Sequence, residues 1–125
     1  MNKLKTDTLN IGIATYEEMK ARTIAIARGE RRRYPGEPKV WFPSIESLAK
    51  VLSDGNRELL KAIAAHHPRS IEELSQLTGR RKSNLSRTLR TMENYGIVRL
   101  DRGDRGRIAP TVKHNDFTVH FSLNS

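Results

Sequence analysis

The stretch SIEELSQLTGRRKSNLSRTLRTM, residues 70–92, decides the fold because it predicts two short helices joined by a glycine turn. Ser70 and Glu73 have the spacing of a capping box, which opens a helix with Leu77 on its apolar face. Gly79 can adopt the left-handed conformation that ends such a helix. The stretch is therefore typical of a helix-turn-helix.

The second predicted helix, residues 81–94, has one apolar side and one polar, basic side. Leu85, Leu89 and Met92 recur at spacings of four and three residues, which places them on one face. The opposite face carries hydrogen-bond donors, which suit the phosphates and base edges of a DNA major groove. The candidate DNA-binding residues of this recognition helix are Arg81, Lys82, Ser83, Asn84, Ser86, Arg87, Arg90 and Thr91.

The sequence leaves the role of each recognition-helix residue open. Arg87 or Arg90 is suited to read guanine, although both could instead pair with Glu93. Asn84 is suited to pair with adenine. Residues 80–82 stand at the helix entrance, where backbone amides favour phosphate, so we expect contacts to the DNA backbone there. The alternative is an ordinary helical hairpin whose polar side is solvated.

Two short segments after the recognition helix predict a β-hairpin. Residues 97–100 and 107–112 have the pattern of strands, and residues 101–106 form a turn rich in glycine and aspartate. A hairpin with a basic tip after a helix-turn-helix is the wing of a winged helix, and its cations suit DNA phosphates. A charged hairpin that is only solvated is the alternative. The candidate DNA contacts of the wing are Arg102, Arg105 and Arg107.

The predicted fold class is α+β: a winged helix-turn-helix with an N-terminal helical arm and a C-terminal β-strand. We expect the arm at residues 1–42, the winged helix-turn-helix DNA-binding domain at residues 43–113, and the C-terminal strand at residues 114–125. The arm is a candidate for dimerisation or for binding a partner.

The arm and the C-terminal segment contain their own predicted elements. Residues 9–13 and 40–42 are expected to be extended, and Thr15 with Glu18 forms a second capping box that opens a helix. Residues 117–123 alternate strictly between apolar and polar side chains. This alternation predicts a strand that packs against the helices or against a second subunit. The sequence does not settle whether residues 9–13 pair with another subunit, fold on a partner or stay disordered.

The positive charge of the chain is distributed unevenly. The formal net charge is +9 and the pI is about 10.4. Residues 80–113 contain ten Lys or Arg and three acidic residues, a net of +7, whereas residues 54–79 have a net of −1. The excess coincides with the recognition helix and the wing, which indicates a polyanionic partner such as double-stranded DNA.

Several classes of function lack support in the sequence. The absence of cysteine excludes disulfides and cysteine-ligated zinc, and we predict no metal site from the scattered histidines. No apolar run approaches the length of a membrane span, so we expect a cytoplasmic, nucleoid-associated protein with no membrane partner. The sequence has no phosphate-binding glycine loop and no metalloprotease helix. We therefore predict neither enzyme activity nor a cofactor.

The helix-turn-helix region resembles prokaryotic winged-helix regulators of the MarR-like kind, through residues 70–79, 83–89 and 93–98. The likeness covers roughly residues 45–112, and the whole chain is similar to a small group of MarR-like regulators that often act as antitoxins. It implies a homodimer that represses from a near-palindromic operator and has a cognate toxin protein as a further partner. The long C-terminal dimerisation helices of larger MarR proteins are missing. The dimer interface is therefore expected in the arm, the C-terminal strand, or both.

Two other functions are compatible with the charge. A basic RNA-binding or ribosome-associated module would explain it, but would not need a recognition helix with this polarity. A protein-interaction module that works through the N-terminal arm is the second alternative. A mobility shift on double-stranded DNA with competitor separates these readings from a sequence-specific regulator.

Overall fold

Residues 8–123 are described by a computed structural model, in which the chain divides into two units. We call residues 8–48 with 116–123 the sheet unit, and residues 49–115 the winged unit. Residues 1–7 of the predicted arm and residues 124–125 of the predicted C-terminal segment lie outside the described residues.

The predicted helices and strands form, and the fold is an α+β winged helix-turn-helix with an N-terminal helical segment and a C-terminal strand. Their boundaries lie within a few residues of the predicted ones. The elements are β1 (Thr8–Ile13), α1 (Tyr16–Ala27), β2 (Val40–Phe42), α2 (Ile45–Val51), α3 (Asp54–His66), α4 (Ile71–Thr78), α5 (Lys82–Asn94), β3 (Val98–Arg102), β4 (Ile108–Val112) and β5 (Asp116–His120).

The helix-turn-helix is α4 and α5, and its local signals act as predicted. The hydroxyl of Ser70 accepts the N–H of Glu73 at 3.0 Å, while the Glu73 carboxylate accepts the N–H of Arg69 at 2.8 Å. Gly79 ends α4 in the left-handed region with φ 76°. Helix α5 packs against α4 and β3, and α3 packs against α4 and β4. The turn therefore presents α5 on a scaffold of α3, α4 and the two strands β3 and β4.

The core of the winged unit is apolar and closed. Leu85, Leu89 and Met92 of α5 are fully buried, together with Leu74 of α4. Leu77 does not join them, because its side chain is 44% exposed. Leu77 lies in the last turn of α4, which ends at Thr78. The expectation that Leu77 lies inward was therefore wrong.

The wing is an antiparallel hairpin with a five-residue loop. Its register pairs Val98 with Val112 and Arg102 with Ile108. In the loop, Arg105 lies in the left-handed region with φ 60°, and Gly106 follows with φ 75°. Consecutive positive φ values turn a short hairpin loop tightly.

The sheet unit contains a three-stranded parallel sheet in the order β2-β1-β5. Thr8 of β1 lies beside Asp116 of β5, and Ile11 lies between Val40 of β2 and Val119 of β5. The predicted C-terminal strand is confirmed, but it ends at His120. Its pairing with β1 of the same chain was not among the expected arrangements, because pairing between distant segments leaves no local sequence signal.

No residue of helix α1 is buried as a whole, but Arg22 ties the helix to the rest of the sheet unit through its side chain. That side chain is 9% exposed, its Nη2 lies 3.0 Å from Oε1 of Glu37, and its guanidinium lies 5.0 Å from the ring centroid of Trp41. Trp41 in turn covers Gly12, where a Cβ atom would lie only 2.5 Å from its ring. The glycine is therefore required by the close approach of the indole.

Candidate nucleic-acid interface

The outward face of α5 consists of the polar residues that the sequence singled out. Seven of the eight are exposed: Arg81, Lys82, Ser83, Asn84, Arg87, Arg90 and Thr91. Ser86 is only half-exposed, because it lies toward the side that packs. The helix thus has a fully buried apolar side and a continuous polar side.

The two central arginines of this face, Arg87 and Arg90, form no side-chain hydrogen bond or ion pair with the described residues. Glu93, their candidate partner, is instead bound by Arg102 at 3.3 Å. Each of the two guanidinium groups therefore keeps all of its donors for an external acceptor.

Arg80 lies at the entrance to α5 and is fixed by a network that the sequence did not predict. Its Nε and Nη2 donate to Oδ1 of Asn84 at 3.0 and 2.7 Å. Its Nη1 donates to Oδ1 of Asn56 at 3.0 Å, and Nη2 also reaches the hydroxyl of Thr88 at 3.3 Å. These contacts tie the start of α5 to α3 and commit most of the guanidinium inside the winged unit.

Asn56 extends the Arg80 network to the end of α2. Its Nδ2 donates to the carbonyl oxygen of Val51 at 3.0 Å, and its own N–H is accepted by the hydroxyl of Ser53 at 3.2 Å. Neither Asn56 nor Thr88 was singled out from the sequence. An asparagine in the first turn of a helix usually suggests only a local cap, so no local signal links it to an arginine 24 residues away.

The network changes what Asn84 can offer to a base. Pairing with adenine uses the amide oxygen as acceptor and the amide nitrogen as donor. In Asn84 the oxygen already accepts two N–H groups from Arg80, so only Nδ2 is left for an outside partner. Asn84 is thereby suited to acceptors such as guanine O6, thymine O4 or a phosphate oxygen, rather than to bidentate pairing with adenine.

The three wing arginines differ in their availability. Arg102 is bound to Glu93 and also donates to the carbonyl oxygen of Leu100 at 3.2 Å. Arg105 and Arg107 are exposed, and in the described part of the chain neither side chain has a bonded partner. Arg102 therefore anchors the wing to α5, whereas Arg105 and Arg107 present free cations at its tip.

Neither a metal centre nor a membrane span is found in the described residues. Between residues 8 and 123, no cluster of three or more His, Asp or Glu side chains could hold an ion. None of the helices described there has the length and the apolar composition needed to cross a bilayer.

The fold and this face define a winged-helix protein in which helix α5 has a basic, outward-facing side. The model of the HVO_A0114 family matches residues 51–119, which is more than half of the chain. The chain therefore belongs to the HVO_A0114 family. The matched region runs from the end of α2 through the wing and into β5.

The other comparisons are distant. No match is found among curated proteins. The chain is similar to a crystal structure described as that of a predicted DNA-binding transcriptional regulator from E. coli, with 23% identity and a TM-score of 0.44. The similarity covers 80% of this chain and 85% of that one.

Proposed function

We propose that this protein is a transcriptional regulator that binds double-stranded DNA sequence-specifically through α5 and the wing. One observation carries the proposal: α5 buries its apolar side completely while Arg87 and Arg90 keep unpaired guanidinium groups on the other side. A helix with this polarity fits a major groove, where arginine donates to guanine. The proposed role is binding without catalysis.

The distribution of charge supports a division of labour between α5 and the wing. Residues 80–113 carry a net charge of +7, and Arg105 and Arg107 extend from the wing. Contacts of such cations with phosphates supply affinity that is independent of sequence and falls steeply with salt. In the proposed complex, the wing and the helix entrance supply this affinity, and Arg87, Arg90 and Asn84 supply the choice of sequence.

The proposal includes a homodimer that represses by occupying an operator. Two subunits would place their α5 helices in successive major grooves, roughly 34–36 Å apart. The protein would act in the cytoplasm on the nucleoid, at its own promoter. The antitoxin role and the toxin partner rest on the MarR-like resemblance alone. Their test is whether coexpression with the neighbouring gene product relieves that product's toxicity.

The DNA-binding proposal is tested by mobility shift on the intergenic DNA upstream of the gene. The purified chain is titrated at two salt concentrations against labelled DNA, with random-sequence DNA and RNA as separate competitors. We expect a discrete complex that survives both competitors. A shift abolished equally by any nucleic acid would contradict sequence-specific binding, and one abolished by RNA alone would identify an RNA-binding module.

Two substitutions then separate specificity from charge. Arg87→Ala should weaken binding to the operator by about 1–3 kcal/mol and leave binding to random DNA much less affected. Arg105→Ala should weaken both and lower the salt slope by about 1. Lys61→Ala, which removes an exposed cation of α3 that is paired with Glu58, serves as the control and should change neither. Equal losses on both DNAs for Arg87→Ala would assign that residue to phosphate.

A further inference from the structure

Among the residues that the structure describes, no further strand pairs with the outer edge of β5. Strand β5 lies at the margin of the β2-β1-β5 sheet and is five residues long, whereas β2 at the other margin has only three. Proteins protect exposed edges with short strands, lysine or proline. The sequence of β5, DFTVH, contains neither lysine nor proline, and its single charged residue among Asp, Glu, Lys and Arg is Asp116 at the first position. Such an edge is suited to pair with another strand.

The apolar face of the sheet continues up to this edge. The parallel register sets Phe117 beside Leu9 and Val119 beside Ile11, so these four side chains share one face. Leu9 and Ile11 are buried, but Val119 is 45% exposed and Phe121, just beyond the strand, is 54% exposed. The exposure is therefore concentrated along the unpaired margin, where an additional strand would cover it.

We propose that a second copy of this chain covers the margin, with the two β5 strands paired antiparallel around Thr118. Thr118 is the midpoint of β5, so this register pairs all five residues of each strand. It extends one three-stranded sheet into a six-stranded sheet across a twofold axis. Such an interface is self-complementary, as dimers with this symmetry require.

The side chains of β5 complement one another in this register. Asp116 lies opposite His120 of the second copy, so a carboxylate faces an imidazole N–H. Phe117 lies opposite the second copy's Val119, and Thr118 lies opposite itself. Aromatic with β-branched pairs and Thr–Thr pairs each stabilise antiparallel strands, and the carboxylate can accept a hydrogen bond from the imidazole N–H. Moving the axis to a point between two residues would set Asp116 opposite Val119 and mix the polar with the apolar face.

This interface deepens the dimer of the proposed function, and it is tested without DNA. Failure here would leave the DNA-binding proposal standing, because the mobility shift tests sequence-specific binding independently of how two chains pair. Conversely, a β5 dimer that shows no DNA specificity would overturn only the proposed function.

The register is tested with single cysteine substitutions. Any disulfide must then involve the introduced cysteine, because the natural chain has none. Thr118→Cys should form a disulfide-linked dimer on mild oxidation. Asp116→Cys alone should not, since its two copies would be about 13 Å apart along the strands, beyond the roughly 7 Å that a disulfide can span. A mixture of Asp116→Cys and His120→Cys chains should cross-link to each other. Thr23→Cys on exposed α1 provides the background rate.

The interface itself is tested by sedimentation over a range of concentrations. Val119→Lys should weaken the dimer at least tenfold, and Thr23→Lys should leave its affinity unchanged, with circular dichroism to compare their folds. If Val119→Lys fails to fold, the cross-linking pattern decides the matter. A monomer at every concentration, or cross-linking at Thr118→Cys no faster than at Thr23→Cys, would overturn the proposal.

Discussion

Each of the two units fixes one arginine against its interior, but the partners are different. In the sheet unit, Arg22 meets the carboxylate of Glu37 and the face of Trp41. In the winged unit, Arg80 meets only neutral oxygens, those of Asn56, Asn84 and Thr88. Both side chains are held in place, yet only the charge of Arg22 is compensated.

The difference shows that an arginine can be fixed in place either with or without compensation of its charge. A buried guanidinium needs an opposite charge, because desolvation of an unpaired ion costs several kcal/mol. Arg80 is half-exposed and can keep its charge. Its neutral partners fix the geometry and leave the positive potential at the entrance of α5, where the proposed DNA would lie.

The largest effect is expected from filling the close contact in the sheet unit. Gly12→Ala would place a Cβ atom 2.5 Å from Cζ3 of Trp41 and 2.9 Å from Cγ of Pro38. Because Arg22 stacks on the indole, the ring cannot move freely, and overpacking should cost about 1–3 kcal/mol of unfolding free energy. Denaturant titration monitored by tryptophan fluorescence measures this.

A matched substitution in the winged unit controls for the loss of glycine itself. A Cβ atom added at Gly55, in the first turn of α3, would meet nothing within 4 Å. Gly55→Ala should therefore be neutral or stabilise by about 0.4–1 kcal/mol. Equal destabilisation by both changes would show that the indole contact is not what Gly12 protects.

A smaller effect, this time on DNA binding, is expected from replacing Arg80, the arginine whose charge no acidic side chain of the described residues compensates. Arg80→Met frees Oδ1 of Asn84 and should reduce operator affinity by roughly 1 kcal/mol, about fivefold. It should also shift the preferred base at one position toward adenine, because Asn84 regains its acceptor. Selection from random double-stranded DNA, performed with both proteins, measures the preference.

Arg90→Met is the matched control for that selection, since it removes an exposed cation with no internal partner in the described chain. It should leave the base facing Asn84 unchanged. An unchanged preference in Arg80→Met would show that the amide of Asn84 does not contact a base in the complex.

The smallest effect is expected on the pH dependence of stability, and it concerns Glu37, the carboxylate that compensates the charge of Arg22. The N–H of Tyr34 chiefly lowers the pKa of Glu37 below its ordinary 4.5; burial opposes this, while Arg22 and Arg33 lower it further. A lowered folded-state pKa gives stability that is present above pH 4.5 and is lost as the pH falls through the folded value. Glu37→Gln should therefore be less stable than the natural chain at pH 7, with a flatter stability profile in acid.

Urea titrations between pH 7 and pH 3 test this pH dependence. Glu30→Gln removes an exposed carboxylate nearby in the sequence and should follow the profile of the natural chain. If Glu37→Gln also follows it, the ion pair contributes nothing to the acid sensitivity of the sheet unit.

Local patterns predicted the helices and the wing because each signal is contained within a few residues. The Ser70 cap, the Gly79 turn and the spacing of Leu85 and Leu89 operate within one or two helical turns, and the structure contains all of them. The exposed face of α5 follows from the same periodicity. Whether those residues contact DNA stays a prediction.

The features that the sequence did not predict depend on contacts between distant segments. The Arg80 network joins residues 24 apart, and the pairing of β1 with β5 joins the two ends of the described chain. Alternation predicted the β5 strand, but nothing in its residues specifies Leu9 as the neighbour of Phe117. Hydrophobic periodicity and helix-capping rules do not specify which distant segments pair in a sheet.

The pairing of β1 with β5 also sets an order of assembly during folding. The winged unit is one continuous segment, residues 49–115, and its helices form through contacts within a few residues. The sheet unit is completed only when Thr8 meets Asp116 at the far end of the described chain. Closing so long a loop is slow compared with local helix formation. A refolding chain would thus form helix α5 before the sheet, and with it the β5 edge, exists.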